Sequence, residues 1–156
     1  VSGSMEGERL AKCKQQLQEC IKALNPKCRF TIVAFCDQVK VWEQSLQLAT
    51  PKIKEKAKSF VSALQATGTT YTLKALLEGF KVEGADAMVL LSDGMPTERD
   101  AAGQEITQDK ILETVDGENR LKKWRIDTFG YASQGPLGQF MKRLAQQNGG
   151  TFTPIN

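Results

Sequence analysis

The sequence predicts a single doubly wound α/β domain over residues 1–156, with a mostly parallel sheet, helices on both faces and one antiparallel hairpin at its edge. Three observations predict it. Apolar residues recur at helical spacing in several stretches, and short β-type runs separate those stretches. One such run, Ala87-Met88-Val89-Leu90-Leu91, is apolar without interruption, as strands of a parallel sheet covered on both faces are. A chain of 156 residues, 40% of them hydrophobic and 25% charged, is long enough for one substantial core.

The elements follow in order. After Ser4, the residues Leu10, Cys13, Leu17, Ile21 and Leu24 share one helical face, Glu6 and Glu8 occupy the first turn, where the helix dipole favours them, and Asn25-Pro26 stops the helix. Residues 29–36 alternate as a strand, Asp37 and Gln38 turn it, and residues 39–42 return, which makes a hairpin. Thr50 caps a helix with Pro51 at its first position; Ile53, Ala57, Phe60, Val61 and Leu64 form its buried stripe and its lysines face solvent. A polar loop, Ala66-Thr67-Gly68-Thr69-Thr70, leads into a helix with Leu73, Leu76, Leu77 and Phe80 on one face. Residues 87–91 form the buried strand, with Ser92 and Asp93 at its carboxyl end. A loop rich in Gly, Pro and charge covers residues 94–106, and a charged helix to about Lys122 turns Ile111, Leu112 and Val115 inward. Residues 124–129 are strand-like, Pro136 opens a last helix with Leu137, Phe140, Met141 and Leu144 inward, Gly149-Gly150 ends it, and residues 151–155 form a final strand. No internal repeat or low-complexity linker divides the chain.

Composition excludes whole classes of chemistry. The chain contains no histidine, which removes Ser-His-Asp and Cys-His catalysis and every histidine-ligated metal site. A net charge of +3, with lysines spread along helices rather than clustered, gives no support to nucleic-acid or membrane binding. The longest apolar run falls far short of the roughly 20 residues a membrane-spanning helix needs, and no targeting segment is visible. Cys13, Cys20, Cys28 and Cys36 lack C-x-x-C spacing, which argues against a zinc cage or thioredoxin-like site; Cys13 and Cys20 on one helix face and Cys36 in the strand alternation read as small buried hydrophobes, with a Cys20 to Cys28 disulfide and the compartment left open.

Ligands of doubly wound sheets bind where loops leave the carboxyl ends of the strands. Three polar segments reach that edge: Val1-Ser2-Gly3-Ser4-Met5 before the first helix, Gly68-Thr69-Thr70 before another, and Leu91-Ser92-Asp93-Gly94 after the buried strand. Each offers oxygen, and none offers a histidine nitrogen or a cysteine thiolate. Hydroxyls with few carboxylates suit a hard cation such as Mg²⁺, which keeps waters and leaves room for an outside ligand. Taken singly, Ser4 and a threonine are adequate as helix caps and Gly94 as a turn residue. Together and in this order, they point to a site.

In that combination the chain resembles the von Willebrand factor A family. The family's metal-ion-dependent adhesion site reads Asp-x-Ser-x-Ser, then a threonine in a Gly-Gly-Thr-like loop, then a strand-end Asp-Gly. Val1-Ser2-Gly3-Ser4-Met5, Thr67-Gly68-Thr69 and residues 90–97 are similar to these three parts, and residues 140–150 to the family's last helix. The resemblance implies the Rossmann-like fold of that family, with Ser2, Ser4 and Thr69 giving hydroxyls to a Mg²⁺ (or Mn²⁺ or Ca²⁺) ion and Asp93 a carboxylate, directly or through water. It implies no catalytic residue. The family's first aspartate would lie immediately before Val1, and its first central strand would precede that, so the domain is expected to be N-terminally incomplete and to lack that strand. Thr67 replaces the usual glycine and Thr70 a common asparagine.

The expected function is a non-enzymatic protein-binding module whose cation bridges to an Asp or Glu of a partner protein, with the 95–106 loop, including Glu98, Arg99 and Asp100, tuning partner choice. Mg²⁺ facing Asp93 alone leaves the cluster at a net charge of about +1, so metal is expected to be held weakly until an acidic partner arrives. Two alternatives are a metal-free scaffold of the same fold mediating assembly, and an α/β phosphate-binding enzyme using Ser2-Gly3-Ser4 at a helix N-terminus. Against the enzyme stands the absence of G-x-x-x-x-G-K-[ST], G-x-G-x-x-G and G-x-S-x-G sequences.

Overall fold

The computed structural model describes residues 3–36, 38–65, 70–92, 95–131 and 134–155, with side chains except at 3–6 and 131. The elements run α1 (Gly3–Ala23), β1 (Arg29–Phe30), β2 (Val33–Phe35), β3 (Val39–Val41), β4 (Gln47–Leu48), α2 (Pro51–Ala63), α3 (Thr72–Phe80), β5 (Ala87–Ser92), α4 (Gln108–Lys122), β6 (Arg125–Tyr131), α5 (Pro136–Gln147) and β7 (Phe152–Ile155). Among the described residues no helix is long and apolar enough to cross a membrane.

The parallel part of the sheet has the order β5-β6-β7, with Leu90 opposite Thr128 and Thr128 opposite Phe152. The expected hairpin is β2 against β3, Val33 facing Val41 and Phe35 facing Val39. Its turn at Asp37 lies outside the described residues, and the amide of Cys36 donates to the carbonyl of Gln38 at 2.9 Å across it. The continuous strand expected over residues 29–36 is instead broken. Residues 29–30 leave the hairpin and pair with β4, a two-residue strand the apolar pattern did not reveal. At the break, Thr31 turns its hydroxyl to the carbonyl of Glu43 at 2.7 Å.

These antiparallel pairs and the parallel sheet do not join, and among the described residues no strand pairs with the free edge of β5. The expectation that residues 87–91 are buried on both sides is corrected. Leu90 and Ser92 are buried, but Ala87 is exposed, Val89 is 53% exposed and Leu91 is half-buried.

Two cores hold the chain together. The larger joins Leu73, Leu76 and Phe80 of α3, Leu90 of β5, Ile111, Leu112 and Val115 of α4, Ile126 of β6, and Leu137, Phe140, Met141 and Leu144 of α5, with Phe35 of β2 packed against it. The smaller holds Ile21, Ile32, Ala57 and Val61, flanked by Phe30, Trp42 and Phe60. Cys13 is buried, Cys20 and Cys36 are half-buried and Cys28 is exposed, and no disulfide joins Cys20 to Cys28.

Capping follows the sequence at α2, where the Thr50 hydroxyl accepts from the amide of Ile53 at 3.3 Å, and at α4, where Thr107 accepts from Lys110 at 3.1 Å. Lys54 departs from expectation: rather than facing solvent, its ammonium donates to the carbonyls of Lys22 and Leu24, closing the C-terminus of α1. After α5, Gly149 takes φ +67°, and Gly150 lies so close to β6 that a Cβ would stand 1.8 Å from the carbonyl oxygen of Ile126.

Candidate metal site at the carboxyl end of the sheet

Ser2, Thr69 and Asp93 lie outside the described residues, as do Thr67, Gly68 and Gly94, and of Ser4 only the backbone is described, in the first turn of α1. The flanking residues are therefore what locate the segments. β5 runs to Ser92, one residue before Asp93, and Ser92 is buried. α3 begins at Thr72, and Thr70 and Tyr71 connect it to Thr69.

These flanks are tied to each other. The amide of Thr70 donates to the hydroxyl of Thr97 at 2.9 Å, and the amide of Thr97 donates to the carbonyl of Thr70 at 3.2 Å. The amide of Tyr71 donates to the carbonyl of Cys36, just beyond β2, at 3.2 Å. The segment leaving β5, the segment entering α3 and the end of β2 thus meet at one edge, which is where a doubly wound sheet binds its ligands. The structure brings Thr70, next to Thr69, against Thr97, four residues past Asp93. α1 itself lies against β5, while Ser2 and the side chain of Ser4 are outside the described residues.

One polar residue at this edge departs from expectation. Glu98 was expected among the loop residues that tune partner choice, yet it is 8% exposed, and its carboxylate accepts from the amides of Leu73 and Lys74 at 3.0 and 3.3 Å. It is the N-terminal cap of α3, supplied from 25 residues away. The signal was present in the sequence: Tyr71, immediately before α3, has no oxygen suited to the task and makes no side-chain capping bond. A helix start without a Ser, Thr, Asp or Asn needs its cap from elsewhere.

Beyond Glu98, the loop is internally ordered and points outward. The Asp100 carboxylate accepts from the amides of Ala102 and Gln104, each at 2.9 Å, and the Arg99 guanidinium donates to the carbonyl of Gly103 at 2.8 Å. Arg99 and Asp100 are exposed. Among the described residues no group of three or more Cys, Asp and Glu side chains is placed to hold a metal ion.

The opposite, amino end of the parallel strands uses its polar groups on the fold. Asn119 donates to the carbonyl of Trp124 and the amide oxygen of Asn148 at 2.8 and 2.7 Å, and accepts from the amide of Trp124 at 2.7 Å. Nearby, the Arg125 guanidinium donates to Asp127 and holds its carboxyl below the usual range; burial opposes this, and the amide and hydroxyl of Thr151 add to it.

Comparison with known proteins adds the family. A sequence profile of the von Willebrand factor type A domain matches residues 1–153. Inter alpha-trypsin inhibitor, heavy chain 4, of Mus musculus is 27% identical over 161 residues, spanning 96% of this chain but 16% of its own length. The von Willebrand factor A domain-containing protein 3A of Homo sapiens is 27% identical over 154 residues, spanning 97% of this chain and 12% of its own. The chain therefore corresponds to a small part of these relatives. A solved von Willebrand factor type A structure from Catenulispora acidiphila superposes with a TM-score of 0.74 at 22% identity, over 99% of this chain and 36% of that one, a likeness of fold. With its parallel sheet flanked by helices, its polar carboxyl edge and a profile match over nearly its whole length, the chain belongs to the von Willebrand factor type A domain family.

Proposed function

We propose that this chain is a non-enzymatic protein-binding module in which the hydroxyls of Ser2, Ser4 and Thr69 and the carboxylate of Asp93 hold a Mg²⁺ ion that bridges to an Asp or Glu of a partner protein. The observation that carries the reading is the paired bonding of Thr70 with Thr97, which draws together the segments bearing Thr69 and Asp93 at the edge where such sheets bind ligands. Family membership supports it, as does the donor chemistry: hydroxyl oxygens with a single carboxylate suit a hard cation that keeps an open position. The chain's lack of histidine argues against the enzymatic alternatives that depend on that residue.

Calorimetric titration with Mg²⁺, alone and with acetate as a minimal carboxylate partner, tests the reading. Weak binding of Mg²⁺ alone, tightened by acetate and abolished in Asp93→Ala, is the expected result. Undiminished Mg²⁺ binding in Asp93→Ala would show that the ion is held elsewhere. Tight binding without acetate would contradict the charge argument for a partner carboxylate.

A further inference from the structure

We propose that Thr97 and Glu98 are positioning residues for the cation: they latch the loop leaving β5 onto the start of α3 and so set the spacing between the segments of Thr69 and Asp93. This rests on the metal-binding reading above. α3 has no cap of its own, and its second and third amides are satisfied by the Glu98 carboxylate from the loop after β5. A carboxylate that is 8% exposed loses most of its water, and here the helix amides and the positive end of the helix dipole replace it. Lifting the loop away would strip that charge of its partners, so the loop is held down strongly.

Thr97 supplies the second point of attachment. Its hydroxyl and its amide bond the amide and carbonyl of Thr70, two bonds in opposite directions that fix one backbone against the other. The far side of the loop is closed by the amide of Ile106, which donates to the carbonyl of Glu98 at 2.9 Å. Thr70 follows Thr69 directly, and Thr97 lies four residues past Asp93. A cation that draws ligands from separate segments needs them held to a fraction of an ångström, and this latch is the described contact that joins two of those segments.

The test is an NMR-monitored Mg²⁺ titration of the whole chain, with amide hydrogen exchange read from the same samples. In Thr97→Val and in Glu98→Gln the affinity for Mg²⁺ should fall about tenfold, the scale on which supporting residues act on metal sites. Thr97→Val changes no charge, so a loss there is not the loss of a nearby negative group, and Thr97→Ser, which keeps the hydroxyl, should return the wild-type affinity. Thr50→Ala, which removes the cap of the remote α2, should cost stability and leave Mg²⁺ affinity alone. Exchange at Leu73 and Lys74 should quicken in Glu98→Gln. Wild-type affinity in both latch variants, alongside faster exchange at those amides, overturns the positioning role and leaves the metal site standing. Absence of Mg²⁺ binding by the wild type, with or without acetate, overturns both.

Discussion

The two cores of this domain are built from the same residue types and differ in how they are enclosed. Around β5, β6 and β7, the helices α3, α4 and α5 surround side chains such as Leu76, Ile126, Phe140 and Leu144, each no more than 1% exposed. Around the hairpin, α1 and α2 close over a smaller cluster, and its aromatic neighbours Phe30, Trp42 and Phe60 stack along its border. The first is enclosed by three helices and the second by two. The two halves meet at the candidate site, where the amide of Tyr71 at the start of α3 donates to the carbonyl of Cys36 on the hairpin side.

The contrast can be broken by a matched pair of truncations. Leu76→Ala and Ile21→Ala remove aliphatic side chains of equal size that are 1% and 3% exposed. If enclosure decides the cost, Leu76→Ala should lose about 4 kcal/mol and Ile21→Ala about 2 kcal/mol, because the cost rises with the cavity that remains. Urea denaturation with a common slope measures both. Equal losses would show that the smaller core is as rigidly enclosed as the larger.

A smaller effect sharpens the view of the hairpin half. There, polar groups supplement the core: Lys54 closes the end of α1, and the Lys14 ammonium donates to the carbonyl of Ser62 at the end of α2 at 2.8 Å. Lys54→Met keeps the stem and removes the charge, and should cost about 0.5–1 kcal/mol, with the loss seen in the melting of α1 and α2. The smallest effect belongs to the other half. Asp127 has a folded-state pKa below its unfolded value, so its contribution is fully present above about pH 4 and is lost as the pH falls through the depressed folded value. In Asp127→Asn the fall in stability below pH 4 should be shallower than in the wild type, read from acid titrations followed by circular dichroism.

Much of this was legible in the sequence because it depends on neighbours along the chain. Helical spacing of Leu137, Phe140, Met141 and Leu144 marks a buried face wherever the helix is placed, and all four are buried. Thr50-Pro51 caps a helix through atoms three residues apart. The order of the oxygen-bearing segments likewise pointed to the family, and the profile match over residues 1–153 bears that out. The ligand roles of Ser2, Ser4, Thr69 and Asp93 remain a proposal, because those side chains lie outside the described residues.

The sequence by itself determined the helices, the parallel strands and the family, since periodicity, caps and motif order are local or ordered along one dimension. The tertiary structure alone decided the split of residues 29–36 between two partners, the exposure of Val89 on one face of β5, and the reassignment of Glu98 from partner-facing loop to helix cap. Each of these depends on what lies across the fold. A strand is covered or bare according to its neighbours in space. A carboxylate is a surface charge or a buried cap according to whether an uncapped helix ends within 3.0 Å of it.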